Sequence, residues 1–452
     1  MISIKISKLK RHFVYGANQM QNFASQYHYI NRTEHIMPTT LTVTFISLLI
    51  ATTFIRIWLG RRHFLHVQQH RQAVPAAFSE NITLSAHQKA ADYTAAKTKL
   101  AMFEVVVQVA LLLWLTLGGG LQWIDDIWRN LLPSQEIIRG AFVISSVMIV
   151  SSLIDLPFEY YRTFVVDEKF GFNKMTPAMF VTDLVKHTLV GLALGAPILL
   201  VALWLMQGAG SYWWLYLWVI WSVFNLVMLA IYPTFIAPLF NKFTPLQDEN
   251  LKQRIEALLT KCGFKSQGLF VMDGSARSSH GNAYFTGFGA SKRVVFFDTL
   301  LARLNADEIE SVLAHELGHF KHHHVIKRIA LMFLVSFLGL ALLGWLMNQP
   351  WFYTSFGVTQ ASNYMALVLF LLVSPVFLFL LRPIMASYSR KNEFEADDYA
   401  AKHASAKYLV AALVKLYRDN ASTLTPDPLH SAFYDSHPPA SIRISKLEAY
   451  TS

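Results

Sequence analysis

His315-Glu316-Leu317-Gly318-His319, with the apolar run Val325–Met347 close behind it, is the stretch on which the reading of this chain turns. On a helix, residues four apart share a face, so two histidines in this spacing can present their imidazoles to one ion. Glu316 sits about one hundred degrees round the helix from His315, where its carboxylate can meet a water on that ion rather than the ion itself. The motif is thus a candidate zinc site with its own base, lying at the edge of an apolar segment.

The surrounding composition is that of a membrane protein. Of 452 residues, 54% are hydrophobic and 15% charged, and the mean hydropathy is +0.34, too apolar for an ordinary soluble domain. About seven segments reach the roughly 20 residues a helix needs to cross a bilayer. They fall at Leu41–Leu59, Lys99–Trp123, Ile137–Leu156, Leu184–Met206, Tyr212–Ile231, Val325–Met347 and Tyr364–Leu381. The expected fold is therefore predominantly α, a polytopic membrane protein with a small α/β zinc metalloprotease domain. Residues 1–36 form an extension, 37–231 carry five spans, and 232–324 form the domain bearing the motif. Residues 325–381 carry two further spans, and 382–452 complete the protease part with helices.

Net charge is +10. In a soluble protein that would suggest nucleic acid, but basic loops facing anionic lipid account for it here, and no nucleic-acid partner is expected. Arg61, Arg62, Arg71, Lys89, Lys97 and Lys99 crowd the first loop, and Arg162, Lys169 and Lys174 the third. The protease part shares their side, expected to be cytoplasmic. Lys5, Lys8, Lys10, Arg11 and Arg32 oppose that orientation, a conflict resolved if translation starts at Met37. The tail Leu447–Ser452 bears no retrieval signal, which favours a bacterial inner membrane over the endoplasmic reticulum. Cys262 is the one cysteine, excluding an internal disulfide and a cysteine zinc cluster.

Within 232–324, Asp248–Cys262 reads as a helix ended by Gly263, and Leu269–Met272 and Arg293–Phe297 as strands around a glycine-rich turn, Gly281–Gly289. Asn305-Ala-Asp-Glu308 is a capping box opening the motif helix. A zinc hydrolase needs a third protein ligand and an open fourth position. Between His319 and Asn392 there is no Asp or Glu, so the first available acids are in Glu393-Phe-Glu-Ala-Asp-Asp398. Helical spacing puts Glu393 and Asp397 on one face and turns Glu395 away. Glu393 is accordingly assigned as third ligand. Asp397 is expected to accept a hydrogen bond from a ligand histidine's other nitrogen. Glu395 and Asp398 are left as solvated acids.

These motifs, with Gly281-Asn-Ala-Tyr-Phe-Thr-Gly287, Ser436-His-Pro-Pro439, His87-Gln-Lys-Ala-Ala-Asp92, Thr116-Leu-Gly-Gly-Gly120 and Glu168-Lys-Phe-Gly-Phe-Asn-Lys174, resemble the type I CAAX prenyl endopeptidases. The likeness runs from about residue 60 to the C-terminus. It implies a ring of helices enclosing a water-filled chamber, one Zn2+ per chain, and a peptide or protein substrate that is prenylated in that family. It further implies that His437 supports the substrate carbonyl with Arg443 near it, that Asn282 lies on an edge strand aligning the peptide, and that His324 stands behind the metal ligands. Two other readings remain open from sequence: a heat-shock-type quality-control protease, and a transporter or lipid-binding protein with structural zinc. The first shares the zinc motifs; the second lacks a fourth good ligand and any internal repeat.

Overall fold

The computed structural model describes residues 40–264, 266–286 and 293–450. The N-terminal extension, the proposed start at Met37 and the end of the glycine-rich turn lie outside these residues. Among the described residues, seven helices are long and apolar enough to cross a membrane: Thr40–Gln69, Leu84–Leu115, Glu136–Asp167, Pro177–Gly208, Gly210–Leu239, His324–Leu346 and Asn363–His403. The first five run 30 to 32 residues, about 45–48 Å at helical rise, and so outreach a hydrocarbon core of about 30 Å. The apolar stretches legible in the sequence cover one part or most of each helix, and the second, Lys99–Trp123, runs on past the helix end at Leu115.

The fourth and fifth spans are joined by a single tight turn at Gly210–Tyr212, the hairpin that Gln207–Ser211 suggests. Between the second and third, the sequence offers only a loop, but the structure forms a helix at Gly120–Leu131. Gly119 there has φ 75, a left-handed bend that ends the second span and starts this short amphipathic helix. Its Asp125 is fully buried, accepting hydrogen bonds from the Tyr364 hydroxyl at 2.7 Å and Arg129 Nε at 2.6 Å. Arg139 Nε donates to the same Tyr364 oxygen at 3.1 Å, and Arg139 Nη1 caps the carbonyls of Leu132 and Pro133. One buried polar network thus ties the short helix to the third and last spans.

The water-side part holds a four-stranded sheet in the order β1-β2-β4-β3, where β1 is Phe243–Pro245, β2 Leu269–Met272, β3 Ala283–Thr286 and β4 Arg293–Phe297. β2 and β4 pair in parallel, while β1 and β3 are antiparallel to their neighbours. β2 and β4 fall where the sequence reading puts them. β3 occupies part of the expected turn, because Ala-Tyr-Phe-Thr is strand-prone and only its glycine flanks suggest a bend. A helix at Glu249–Lys261 is capped by Asp248, and the motif helix Ala306–Lys321 carries both bonds of its capping box. Ile255, Leu258, Val294, Phe296, Leu313 and Leu317 pack these elements into one core.

The last membrane helix does not stop at the bilayer. Asn363–Leu378 passes through one tight turn, Phe379–Leu381, into Arg382–His403, so the element continues across the boundary set at residue 382.

Removing the Tyr364 hydroxyl should disconnect Asp125 from Arg139 while keeping the ring. Tyr364→Phe is expected to cost about 1–3 kcal/mol, read as a lower melting temperature of the detergent-solubilised protein.

Candidate active site

The site is built where two helices come unusually close. A Cβ placed on Gly318 would lie 2.9 Å from Ala396 Cα and 3.0 Å from Tyr399 Cβ. The glycine between the two motif histidines therefore lets the Arg382–His403 helix rest directly on the motif helix. At that contact Glu393 falls between the histidines. Its Oε2 is 3.4 Å from His315 Nε2 and its Oε1 3.4 Å from His319 Nε2. One donor atom from each of His315, His319 and Glu393 lies within 4.8 Å of the others.

The far nitrogens of the imidazoles are held by different means. His315 Nδ1 is 2.8 Å from Asp397 Oδ1. The buried Arg443 closes on the same carboxylate, with Nη2 donating to Oδ1 at 2.6 Å and Nε to Oδ2 at 2.8 Å. Arg443 Nη1 lies 3.9 Å from Glu393 Oε2. His319 Nδ1 instead meets His324 Nδ1 at 2.9 Å, and His324 Nε2 meets Glu395 Oε2 at 2.9 Å.

Burial and charge set the state of the cluster. Burial opposes protonation of His315, but its bond to Asp397 and the Glu393 carboxylate beside it outweigh that and hold it up at about 9. Burial and the neighbouring His315 pull His319 down to about 4. Burial raises the Glu316 carboxyl above its ordinary value, and among the described residues that carboxylate takes no hydrogen bond or ion pair. A carboxyl group with a raised pKa and no engaged partner is free to take a proton.

These residues fit a zinc ion on their own chemistry. Two imidazoles and a carboxylate are borderline-soft and hard donors of the type zinc accepts. Glu393 Oε2 is a buried oxygen with no hydrogen-bond partner, an acceptor that a cation would satisfy.

The remaining expected residues lie at the rim or behind the site. His437 is 59% exposed, its Nε2 3.4 Å from Glu393 Oε1 and its Nδ1 2.9 Å from Ser436 Oγ. Asn282 is exposed at the start of β3, its Oδ1 accepting from Ala283 N at 2.8 Å. β3 packs on the motif helix through Phe285 and Phe320, whose ring centroids are 4.6 Å apart. Arg443, expected near the substrate carbonyl, is buried with three nitrogens turned to the two carboxylates, so its geometry serves Asp397 rather than a peptide. Glu395, left as a solvated acid, bonds His324. Its helix face turns it away from His315 and His319, and its link to the site runs through His324, an imidazole whose position no local pattern reveals.

Comparison with known proteins bears on what such a site does. The family described as "CAAX prenyl protease N-terminal, five membrane helices" matches residues 63–242, and "Peptidase family M48" matches residues 245–451. The chain belongs to this family. It is 40% identical over 317 residues to CAAX prenyl protease 1 homolog of Arabidopsis thaliana, covering 70% of this chain and 75% of that protein. With CAAX prenyl protease 1 of Saccharomyces cerevisiae it shares 39% identity over 315 residues, 66% and 70% of the two chains. The crystal structure of S. mikatae Ste24p superposes with a TM-score of 0.83 at 32% identity, covering 90% of this chain and 98% of that one. The protein is an integral-membrane metalloendopeptidase of the M48 type, which leaves the transporter reading without support.

Substitutions at two positions test the geometry. Gly318→Val should force the ligand helices apart and cut metal content and thermal stability together, whereas Gly318→Ala should do so more mildly. Asp397→Asn can still accept a bond but loses its charge beside Arg443, and should weaken zinc affinity by about 10–100-fold. Both are read by metal analysis and chelator competition.

Proposed function

We propose that this protein is a zinc endopeptidase acting on extended, C-terminally prenylated peptides delivered from the bilayer, with its protease domain on the cytoplasmic side. His315, His319 and Glu393 would hold the ion, and a zinc ion bound there supplies Lewis acidity that lowers the pKa of water toward about 7 and polarises a carbonyl. Glu316 takes the proton as water attacks the scissile carbon and delivers it to the departing amine. His437, exposed at the rim and 3.4 Å from the third ligand, donates a hydrogen bond to the oxygen that gains negative charge. The backbone of β3, at one edge of the sheet among the described residues, pairs with the substrate as an added strand, with Asn282 at its entry. Asp397 and Arg443 orient His315.

The observation that carries this reading is Glu393, supplied by a helix continuous with a membrane span, lying 3.4 Å from each motif imidazole. A water-filled chamber between the spans is part of this proposal. The names of the relatives support the prenylated substrate class.

Glu316→Gln should keep its zinc and lose cleavage of a farnesylated Cys-a-a-X peptide by at least about 100-fold. Undiminished turnover in that variant would remove Glu316 as the base. Cleavage of the unprenylated peptide at an equal rate would instead favour a general membrane-protein protease.

A further inference from the structure

Among the described residues Glu395 forms no hydrogen bond or ion pair with the three proposed ligands, and it stands on the opposite face of its helix from Glu393 and Asp397. The chain nevertheless brings it to the site by a second route. After Lys321 the motif helix ends, His323 takes a left-handed backbone with φ 58, and the sixth membrane helix begins at His324. That reversal lays the His324 ring beside His319, with centroids 5.2 Å apart. His324 is buried, at 2% side-chain exposure, whereas Glu395 is one-third exposed.

Proton positions along this line follow from hydrogen-bond polarity. In the proposed site His319 gives Nε2, the nitrogen on the Glu393 side, to the zinc, so its proton is on Nδ1. That N–H donates to His324 Nδ1 at 2.9 Å, which must then be bare. His324 accordingly carries its proton on Nε2 and donates it to Glu395 Oε2 at 2.9 Å. Were His324 to hold its proton on Nδ1, two N–H groups would face each other across 2.9 Å. Only an acceptor at the Nε2 end selects the workable tautomer.

We propose that Glu395 is a positioning residue for the metal centre: through His324 it fixes the tautomer and orientation of His319, as Asp397 does directly for His315. The two ligand histidines are thus held unequally. His315 is backed by a buried carboxylate clamped by Arg443. His319 is backed by an imidazole and a carboxylate that reaches the surface, in a depression also lined by Lys261, Lys321, His322 and Lys402. The zinc grip on the His319 side is therefore the one open to change from outside the cleft.

The inference rests on the metal reading above, and the experiment separates the two. Zinc affinity of the full-length detergent-solubilised chain is measured by chelator competition, with melting of the metal-free protein as a check on folding. Wild type should bind one zinc and Glu393→Ala should lose it; equal binding by these two would overturn the metal site itself. Given that result, Glu395→Ala should bind zinc about 10–100-fold more weakly with metal-free melting unchanged. Glu395→Gln keeps an oxygen acceptor for the His324 N–H and should recover affinity to within about threefold of wild type. His324→Ala combined with Glu395→Ala should be no weaker than His324→Ala alone, because both act through one line of bonds. Unchanged affinity in Glu395→Ala, failure of the glutamine to restore it, or additive losses in the double variant would each overturn the proposal while leaving the zinc site standing.

Discussion

The close approach of two helices at Gly318 is the constraint on which the rest depends. A histidine pair on one helix supplies two donors and no more, and a third must come from another element brought within a few ångströms. Any side chain at Gly318 would meet the backbone of Ala396, so the absence of a Cβ there sets the distance at which Glu393 enters between His315 and His319. The ligand-supporting contacts then follow from helical repeat. Asp397, one turn beyond Glu393, reaches the back of His315, and Arg443 from the C-terminal helix Ala440–Glu448 neutralises it.

The same two helices connect the site to the membrane. The motif helix leads through a one-residue left-handed bend into the sixth span, and the Glu393 helix is the water-side end of the last span. The histidine pair is therefore one bend away from a membrane helix, and Glu393 lies on the continuation of another. The far end of the last span is fixed in turn by the Asp125–Tyr364–Arg139 network. A shift of these spans relative to each other would act on the distance between imidazoles and carboxylate.

Much of this was legible in the sequence because the relevant signals are local. Apolar length marks the seven spans, the Asn305–Glu308 box marks the start of the motif helix, and the lack of acids between His319 and Asn392 singles out Glu393. What escaped is non-local or of small scale. The helix at Gly120–Leu131 is too short and too polar on one face to register as a span. β3 hides between glycines. Arg443 and Glu395 look like surface charges in the linear pattern, since nothing in their neighbours reveals that one meets a buried carboxylate and the other an imidazole from a different helix. Helix-face reasoning tells which residues share a direction; it does not tell what another element brings to the opposite one.

The account comes down to one ion held by two imidazoles and one carboxylate with a position left for water. X-ray absorption at the zinc edge on the purified full-length protein tests it most directly. The expected spectrum has two imidazole nitrogens at about 2.0–2.1 Å and oxygen ligands at about 2.0–2.2 Å, with one oxygen exchangeable for a small anionic inhibitor. A third imidazole, a sulfur shell at about 2.3 Å, or four protein donors with no exchangeable ligand would contradict it.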